Sequence, residues 1–372
     1  MLFADKQTVS TLMQTCRILH REGTKHLLRD VMVLEAPQLL SVLEFLKAPS
    51  DLNRWPFLRS LDIFLDTSDV IEPWFAEAVD ELLFGLLAVS KLDSLALELD
   101  AETLLSLQPR LVQTIAAFTT LRRLSMQGCG PRSAAMIRNM HSTLTSASIE
   151  FKGDGSYSEE EDRDMDFIRL LHHSHATLES ISVYFPGMTL PGGPIYPKVE
   201  YIYLETPLYY PQPMHYIRSF PNLSTLIAYD DEGMDRSERA FLKRRRPRIK
   251  RKQEKHGSWP SLTSYGGYIG PLWSFALTCH IVELRTEVAT DYELDMLLDV
   301  LPDARPRALI LSVSGRQLFM KEALISALCE PRDPPLKSLE IEIKMWCGPG
   351  DQLELSVSEV TALLVSSPCW SR

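Results

Sequence analysis

A few groups of residues in this chain have types that could do chemistry. His172-His173-Ser174-His175 brings three imidazoles within four positions, the raw material of a metal site. Adjacent histidines project to different sides of a helix, however, and no cysteine pair or second histidine motif stands near them, so a solvent-facing helix end is the expected role. Tyr265-Gly-Gly-Tyr-Ile-Gly270 comes nearest to a glycine loop that cradles phosphate, but it lacks the GxGxxG spacing and reads as a distorted strand. Ser158 runs into Glu159-Glu160-Glu161, a context that acidophilic kinases accept; an unmodified acidic loop is the plainer reading. From Lys243 to Lys255 the chain holds nine basic residues and one acidic one: Lys243, Arg244, Arg245, Arg246, Arg248, Lys250, Arg251, Lys252 and Lys255 against Glu254. Such a run serves as a nuclear-import or nucleic-acid patch, or is a solvated loop held open by self-repulsion.

The rest of the chain narrows the classes. It contains no nucleophile elbow, phosphate loop or metalloprotease helix, so no catalytic residue, cofactor site or metal site is expected and the chain does not read as an enzyme. Six cysteines are scattered without a CxxC pair, which suggests neither a zinc site nor a small disulfide scaffold and points to a reducing interior, cytoplasm or nucleus. No apolar run approaches the length of a membrane span, and Asp5 and Lys6 close behind Met1 do not read as a secretory signal. With 39 basic residues against 49 acidic ones the net charge is −10, which argues against nucleic acid as the main partner. Outside the basic run the count is 30 against 48, so a strongly basic segment sits on an acidic body.

What positions these residues is a repeat. Leu58-Arg-Ser-Leu61-Asp-Ile63 has the form Leu-x-x-Leu-x-Leu, and it returns at Leu92, Leu121, Leu178, Val199, Leu223 and Leu336, with degraded copies at Leu144, Leu262, Ile281 and Ala308. The mean spacing is roughly 28 residues, inside the range of leucine-rich repeats. The last two apolar positions alternate on a short strand, so both point inward, and one such strand cannot bury its own face whereas a stack can. Between strands lie helical stretches at Pro73–Val89, Ala101–Phe118, Arg132–Met140, Arg163–His172, Tyr292–Leu301 and Gln317–Cys329. Strand, turn and helix at this length predict an α/β solenoid, a curved parallel sheet of about ten to eleven strands with helices outside it. A small helical cap over residues 1–50 is expected to precede an array over 51–372, interrupted by insertions at 153–165 and 231–258.

The outward strand positions are the candidate recognition surface. Early copies present small polar groups such as Ser60, Ser94 and Ser146, while the middle ones gather Tyr184, Tyr201, Tyr203, Tyr229 and Tyr268. Tyrosine offers rigid contact area at low entropy cost, so these five are candidate partner anchors, rimmed by Arg123, Glu150 and Glu205. The other reading is that the rings pack on one another across parallel strands.

The N-terminal segment departs from the repeat. Thr8–His20 reads as one helix with Val9, Leu12, Met13, Cys16 and Leu19 on one face, Gly23 is placed to end it, and Lys25–Arg29 starts a short second helix before a β-rich Val31-Met-Val-Leu34. Leu12, Thr15-Cys16-Arg17 and Leu27-Leu28-Arg29, followed by irregular repeats, resemble the F-box/leucine-rich-repeat proteins, especially the divergent fungal ones. The Leu-Pro-x-Glu helix that opens the family's F-box does not precede Thr8, so the match is to an N-terminally incomplete F-box. The resemblance implies a substrate receptor of a cullin-RING ubiquitin ligase, with Leu12, Cys16, Arg17, Leu27 and Leu28 on the adaptor and the repeats on a protein substrate. A leucine-rich-repeat binding module unconnected with ubiquitin is the alternative.

Overall fold

A computed structural model of the chain describes residues 6–49, 53–65, 70–89, 91–152, 164–185, 189–205, 212–230, 236–314, 318, 321–330 and 333–344. They form an α/β fold of twelve strands, all parallel and following one another in chain order. The chain divides into two compact units, one reaching to Leu204 and including Arg218–Asn222, the other made of Glu205–Ile217 and the residues from Leu223 onward.

The first unit opens with helices α1 (Lys6–Met13) and α2 (Arg17–Leu27), then β1 (Asp30–Val33) and α3 (Ala36–Lys47). It continues through β2 (Ser60–Phe64), α4 (Pro73–Leu87), β3 (Ser94–Glu98), α5 (Ala101–Leu107), α6 (Arg110–Ala116), β4 (Arg123–Cys129), α7 (Pro131–Arg138) and β5 (Ser146–Phe151). Then come α8 (Phe167–Leu170), β6 (Ser180–Tyr184) and β7 (Tyr201–Glu205), followed by α9 (Pro213–Ser219), of which Pro213–Ile217 belong to the second unit. The second unit holds β8 (Thr225–Tyr229), α10 (Arg236–His256), β9 (Ser261–Tyr268), α11 (Ile269–Phe275), β10 (His280–Val288), α12 (Asp291–Ala304), β11 (Ala308–Ser314), α13 (Glu322–Cys329) and β12 (Ser338–Lys344).

The motif explains the packing. From β2 to β8 its first apolar residue lies just ahead of the strand, and Leu58, Leu92, Leu121, Leu144, Leu178, Val199 and Leu223 are all buried, as are the inward strand residues Leu61, Ile63, Leu95, Leu97, Ile181 and Val183. Each such side chain contributes about 1.5–3 kcal/mol through apolar burial, and the parallel register keeps equivalent positions side by side: Ser60, Ser94, Arg123, Ser146 and Ser180 form one row. The backbone repeats as well. The carbonyl of the residue after the first leucine accepts two N–H groups from the next copy. Arg59 takes Asp93 and Ser94, Asp93 takes Arg122 and Arg123, Arg122 takes Thr145 and Ser146, and Thr145 takes Glu179 and Ser180. Ser224 and Arg307 do the same in the second unit. A threonine hydroxyl just before the motif adds a tie, Thr120 donating to the Leu92 carbonyl at 2.6 Å and Thr177 to the Leu144 carbonyl at 2.7 Å.

Four expectations from sequence are corrected. The helix expected over Thr8–His20 is two helices, because Cys16 is extended and starts α2. Gly23 lies inside α2 rather than ending it: a Cβ there would stand 2.2 Å from Met13 Cγ, so glycine is what lets α1 cross so closely. The supposedly helical cap already contains a repeat, since Leu28-Arg-Asp-Val31-Met-Val33 is a further copy of the motif. Its β1 pairs with β2, and the Arg29 carbonyl accepts the Arg59 and Ser60 N–H groups. Finally, the basic run is not a loop. It forms most of α10, because Leu242, Arg246, Ile249 and Gln253, spaced i, i+4, i+7, i+11, bury one stripe of the helix. The insertion around Ser158, residues 153–163, lies outside the described residues.

Candidate functional site

The outward strand face is built by the alternation that buries the core. In the first unit it begins apolar. Met32 on β1, Leu34 just after it and Phe64 at the end of β2 are all exposed, Met32 by 58%. It then turns small and polar, with the rows Asp62–Ala96–Ser125–Ser148–Ser182 and Ser94–Arg123–Ser146–Ser180, where Ser180 Oγ donates to Ser146 Oγ at 2.9 Å. Arg123 is exposed and pairs with Asp93 at 3.4 Å, a surface ion pair of modest worth. Glu150 registers with Tyr184 on the neighbouring strand.

The face ends in tyrosine. The rings of Tyr184 on β6 and Tyr203 on β7 lie 5.1 Å apart at a tilt of 42°, and Tyr201 precedes Tyr203 on the same side of β7. All three are half-buried. In the second unit Tyr229 on β8 and Tyr268 on β9 meet edge to face with centroids 5.2 Å apart, and Tyr268 remains 38% exposed. Such offset or T-shaped pairs add about 0.5–1.5 kcal/mol beyond area burial. Glu205, half-buried, ends β7. The five tyrosines thus occur as two ring pairs, one in each unit, with Tyr201 beside the first. The rings pack on one another across neighbouring strands and also keep part of their surface open.

Beside Tyr268 the face is charged. Tyr268 registers with Glu287, Glu287 with Ser312, and Ser312 with Glu342; Ser312 Oγ donates to the Glu342 carboxylate at 2.8 Å. Arg285 lies in the adjoining row between Gly266 and Ile310. Sequence reasoning missed Met32 and Leu34 because Leu28 was not taken as the start of a copy, and missed Arg285 and Glu287 because the copy at Ile281 is degraded.

Gly266 and Gly267 have a packing role. Gly267 takes the third inward position of its copy with φ +126°, and a Cβ there would lie 1.9 Å from the Ala228 carbonyl oxygen. The glycines therefore bring β9 against β8, with Tyr265 buried beside them and its hydroxyl donating to the Tyr268 carbonyl at 2.8 Å.

The other candidates fall as follows. His172 Nδ1 lies 3.1 Å from the Arg169 carbonyl and His175 Nδ1 2.9 Å from the His172 carbonyl, while His173 Nε2 meets the Arg138 carbonyl. Among the described residues no group of three or more His, Cys, Asp or Glu is placed to hold a metal ion. Among the described residues no helix is long and apolar enough to cross a membrane. In the F-box-like segment Cys16 is exposed and Leu12 and Leu27 are half-buried, whereas Leu28 is only 5% exposed because it starts the first repeat. The side chain of Arg17 lies outside the described residues.

α10 is held from within by two polar side chains. Arg246 is buried; its guanidinium donates to the Trp273 and Asp299 carbonyls, faces the Trp273 ring at 5.0 Å and stands 3.9 Å from Asp303. Burial pulls its pKa below the usual arginine value, against the upward pull of Asp299 and Asp303. Gln253 Nε2 donates to the Phe275 and Ala276 carbonyls at 3.2 and 2.9 Å, satisfying the end of α11 where Ala276 turns left-handed. Its Oε1 accepts from the Thr278 N–H at 3.2 Å. Lys250 pairs with Asp303. Of the basic run, then, Arg246 and Lys250 are structural, and Arg245 packs over Phe241.

No protein-family model matches the chain, and no curated protein matches it.

Proposed function

We propose that this chain is a non-enzymatic recognition scaffold of the leucine-rich-repeat kind, holding a protein partner on its outward strand face. The observation that carries the reading is the tyrosine set, each unit holding one half-open aromatic pair: Tyr184 with Tyr203 in the first unit, whose strands carry the serine rows, and Tyr229 with Tyr268 in the second. Rigid aromatic anchors match the composition of interface cores, where tyrosine is enriched. Arg123, Glu150 and Glu205 are its rim. The test is capture of partners from cell extract by the wild-type chain, identification by mass spectrometry, and remeasurement with purified partner against Tyr201→Ala/Tyr203→Ala. A true anchor costs about 2 kcal/mol or more when truncated, about thirtyfold in Kd. Unchanged affinity of the folded double variant would remove the tyrosines from the site.

The second reading, a substrate receptor of a cullin-RING ubiquitin ligase, is favoured by what α1 and α2 leave at the surface: Ile18 is 73% exposed, Cys16 is exposed, and Leu12 and Leu27 are half-open. Leu28 serves the core instead and is left out of the proposed adaptor contact. Purified adaptor should bind the chain and lose affinity with Ile18→Glu and Leu27→Glu. No binding of adaptor by the wild-type chain leaves the plain binding module.

A further inference from the structure

The basic run has a second stripe. Opposite the buried Leu242, Arg246, Ile249 and Gln253, the residues Arg244, Arg248, Arg251 and Lys255 follow the same i, i+4, i+7, i+11 spacing on α10, flanked by Lys243 and Lys252. All six are exposed. Among the described residues Lys243, Arg244, Arg248, Arg251, Lys252 and Lys255 have no acidic side chain as an ion-pair partner, and Arg251 Nε donates to the Pro247 carbonyl at 3.2 Å. Glu254 is the one acidic residue within the run. The inner side is pinned by Arg246 on Trp273 and by Gln253 on Phe275 and Ala276, so the outer cations stand in line on a docked helix. From Arg244 to Lys255 the line is about 17 Å long at the rise of an α-helix.

We propose that this ridge binds the phosphate backbone of duplex nucleic acid without reading its sequence. Over about 17 Å one strand of a duplex carries about five phosphates, against six cations here. The alternatives fit the ridge less well. A protein partner needs an apolar or aromatic core to its interface, and the exposed apolar residue among these cations is Pro247. A membrane-surface helix needs an apolar face free to enter lipid, and here Leu242 and Ile249 are buried in the protein. Single strands are held largely by bases stacked on aromatic rings, and the nearest ones are occupied, Phe241 under Arg245 and Tyr292 under Arg239. The chain's net charge of −10 had argued against nucleic acid, but what a polyanion meets first at this helix is the local charge.

The experiment measures binding of a fluorescent 20-base-pair duplex by anisotropy across a salt series, with the full chain. Wild type should bind at 50 mM salt with a log–log salt slope of about −4 to −5, set by about 0.9 per neutralised phosphate. Arg244→Gln/Arg248→Gln/Arg251→Gln/Lys255→Gln should keep the circular dichroism and melting of wild type, lose on the order of a hundredfold in affinity, and flatten the slope by about 3 to 4. A control with the same charge change, Lys91→Gln/Lys198→Gln/Arg218→Gln/Lys337→Gln, should lose far less. The single variants Arg244→Gln and Arg248→Gln should each lower the slope by about one. No duplex binding at 50 mM salt would overturn the proposal, as would a ridge variant no weaker than the control. Equal or tighter binding of single strand, polyglutamate or phosphatidylserine vesicles would overturn the assignment to duplex.

Discussion

Arg246 is the residue on which α10 depends, and its removal has a size that follows from its surroundings. It is 6% exposed and donates to two backbone carbonyls, with Asp303 at 3.9 Å. A hydrogen bond from a charged donor contributes about 1.5–3 kcal/mol, and breaking a buried ionic contact by removing one partner costs about 3–5 kcal/mol. Lys250 remains on Asp303, so that carboxylate is not left alone and the lower end of the range applies. Arg246→Ala should therefore lose about 3–4 kcal/mol, with the Trp273 carbonyl unpaired and a void beside the ring. Arg246→Met keeps an apolar stem on Trp273 and removes the desolvation penalty of the guanidinium, and should lose about 1–2 kcal/mol. Urea unfolding followed by far-ultraviolet circular dichroism and tryptophan fluorescence measures both, Trp273 and Trp259 being buried reporters in the second unit. With a slope of about 1–3 kcal/mol per molar urea, the alanine variant should shift the midpoint of that unit by more than 1 M. An Arg246→Ala protein within about 0.5 kcal/mol of wild type would show that Leu242, Ile249 and Gln253 suffice, and that the buried charge does not hold the helix.

Gly267→Ala should be among the most damaging single-atom additions, about 3 kcal/mol or more from a positive-φ backbone and a clash with the Ala228 carbonyl; soluble yield and melting temperature measure it. Asp100 caps α5, accepting from the Thr103 N–H at 3.1 Å and pairing with Lys152 at 2.8 Å. Burial pushes its carboxyl up, but Lys152 and Thr103 more than reverse this, so its pKa lies below the ordinary 3.8. Its contribution is thus present above that pH and lost as pH falls through the depressed folded value. Asp100→Ala should cost about 1 kcal/mol at pH 7, a gap that narrows in acid melts. His280 has its pKa lowered from 6.5 by burial, then by Arg307 and Arg305. The folded state resists protonation, so stability is present above pH 6.5 and falls as pH drops, and His280→Gln should flatten the melting curve against pH between 7 and 5.

Most strands were legible because each of those carries its own periodic signal. Leu58-x-x-Leu61-x-Ile63 and its successors needed no tertiary information to be found, and the structure adds that the carbonyl after the first leucine ties each copy to the next. The helix over Ala101–Phe118 was legible in extent but not in its break at Gln108-Pro109, which separates α5 from α6. α10 was not legible as a helix. Its inward stripe has helical spacing, but two of its four members, Arg246 and Gln253, are polar, so the pattern does not register as hydrophobic periodicity. Pro247 and nine cations argued for a loop; the proline costs roughly 3 kcal/mol within a helix, and burial of Leu242 and Ile249 with the bonds of Arg246 and Gln253 offsets it. The tyrosine pairing was half legible. Alternation put the rings on one face, but which rings meet depends on strand neighbours and side-chain tilt.

The N-terminal segment shows why a short motif and a repeat can claim the same residues. Leu27-Leu28-Arg29 fits the end of an F-box-like helix, and Leu28-Arg-Asp-Val31-Met-Val33 fits a repeat, so the two patterns overlap at Leu28 and Arg29. They make opposite demands on Leu28. Adaptor docking needs it at the surface, while the repeat needs it under β1, and at 5% exposure it serves the repeat. The Arg29 carbonyl is likewise committed, taking both N–H groups of Arg59 and Ser60 as Arg59, Asp93, Arg122 and Thr145 do in later copies. Any adaptor contact must then be made by α1 and by the outer side of α2, through Leu12, Ile18 and Leu27. Leu28→Glu and Leu27→Glu separate the two demands. The first should destabilise the fold by burying a charge in the first repeat, a change of several kcal/mol seen in melting. The second should leave melting nearly unchanged and report on docking alone. If both variants melt as wild type does, β1 is not the structural first repeat that its hydrogen bonds describe.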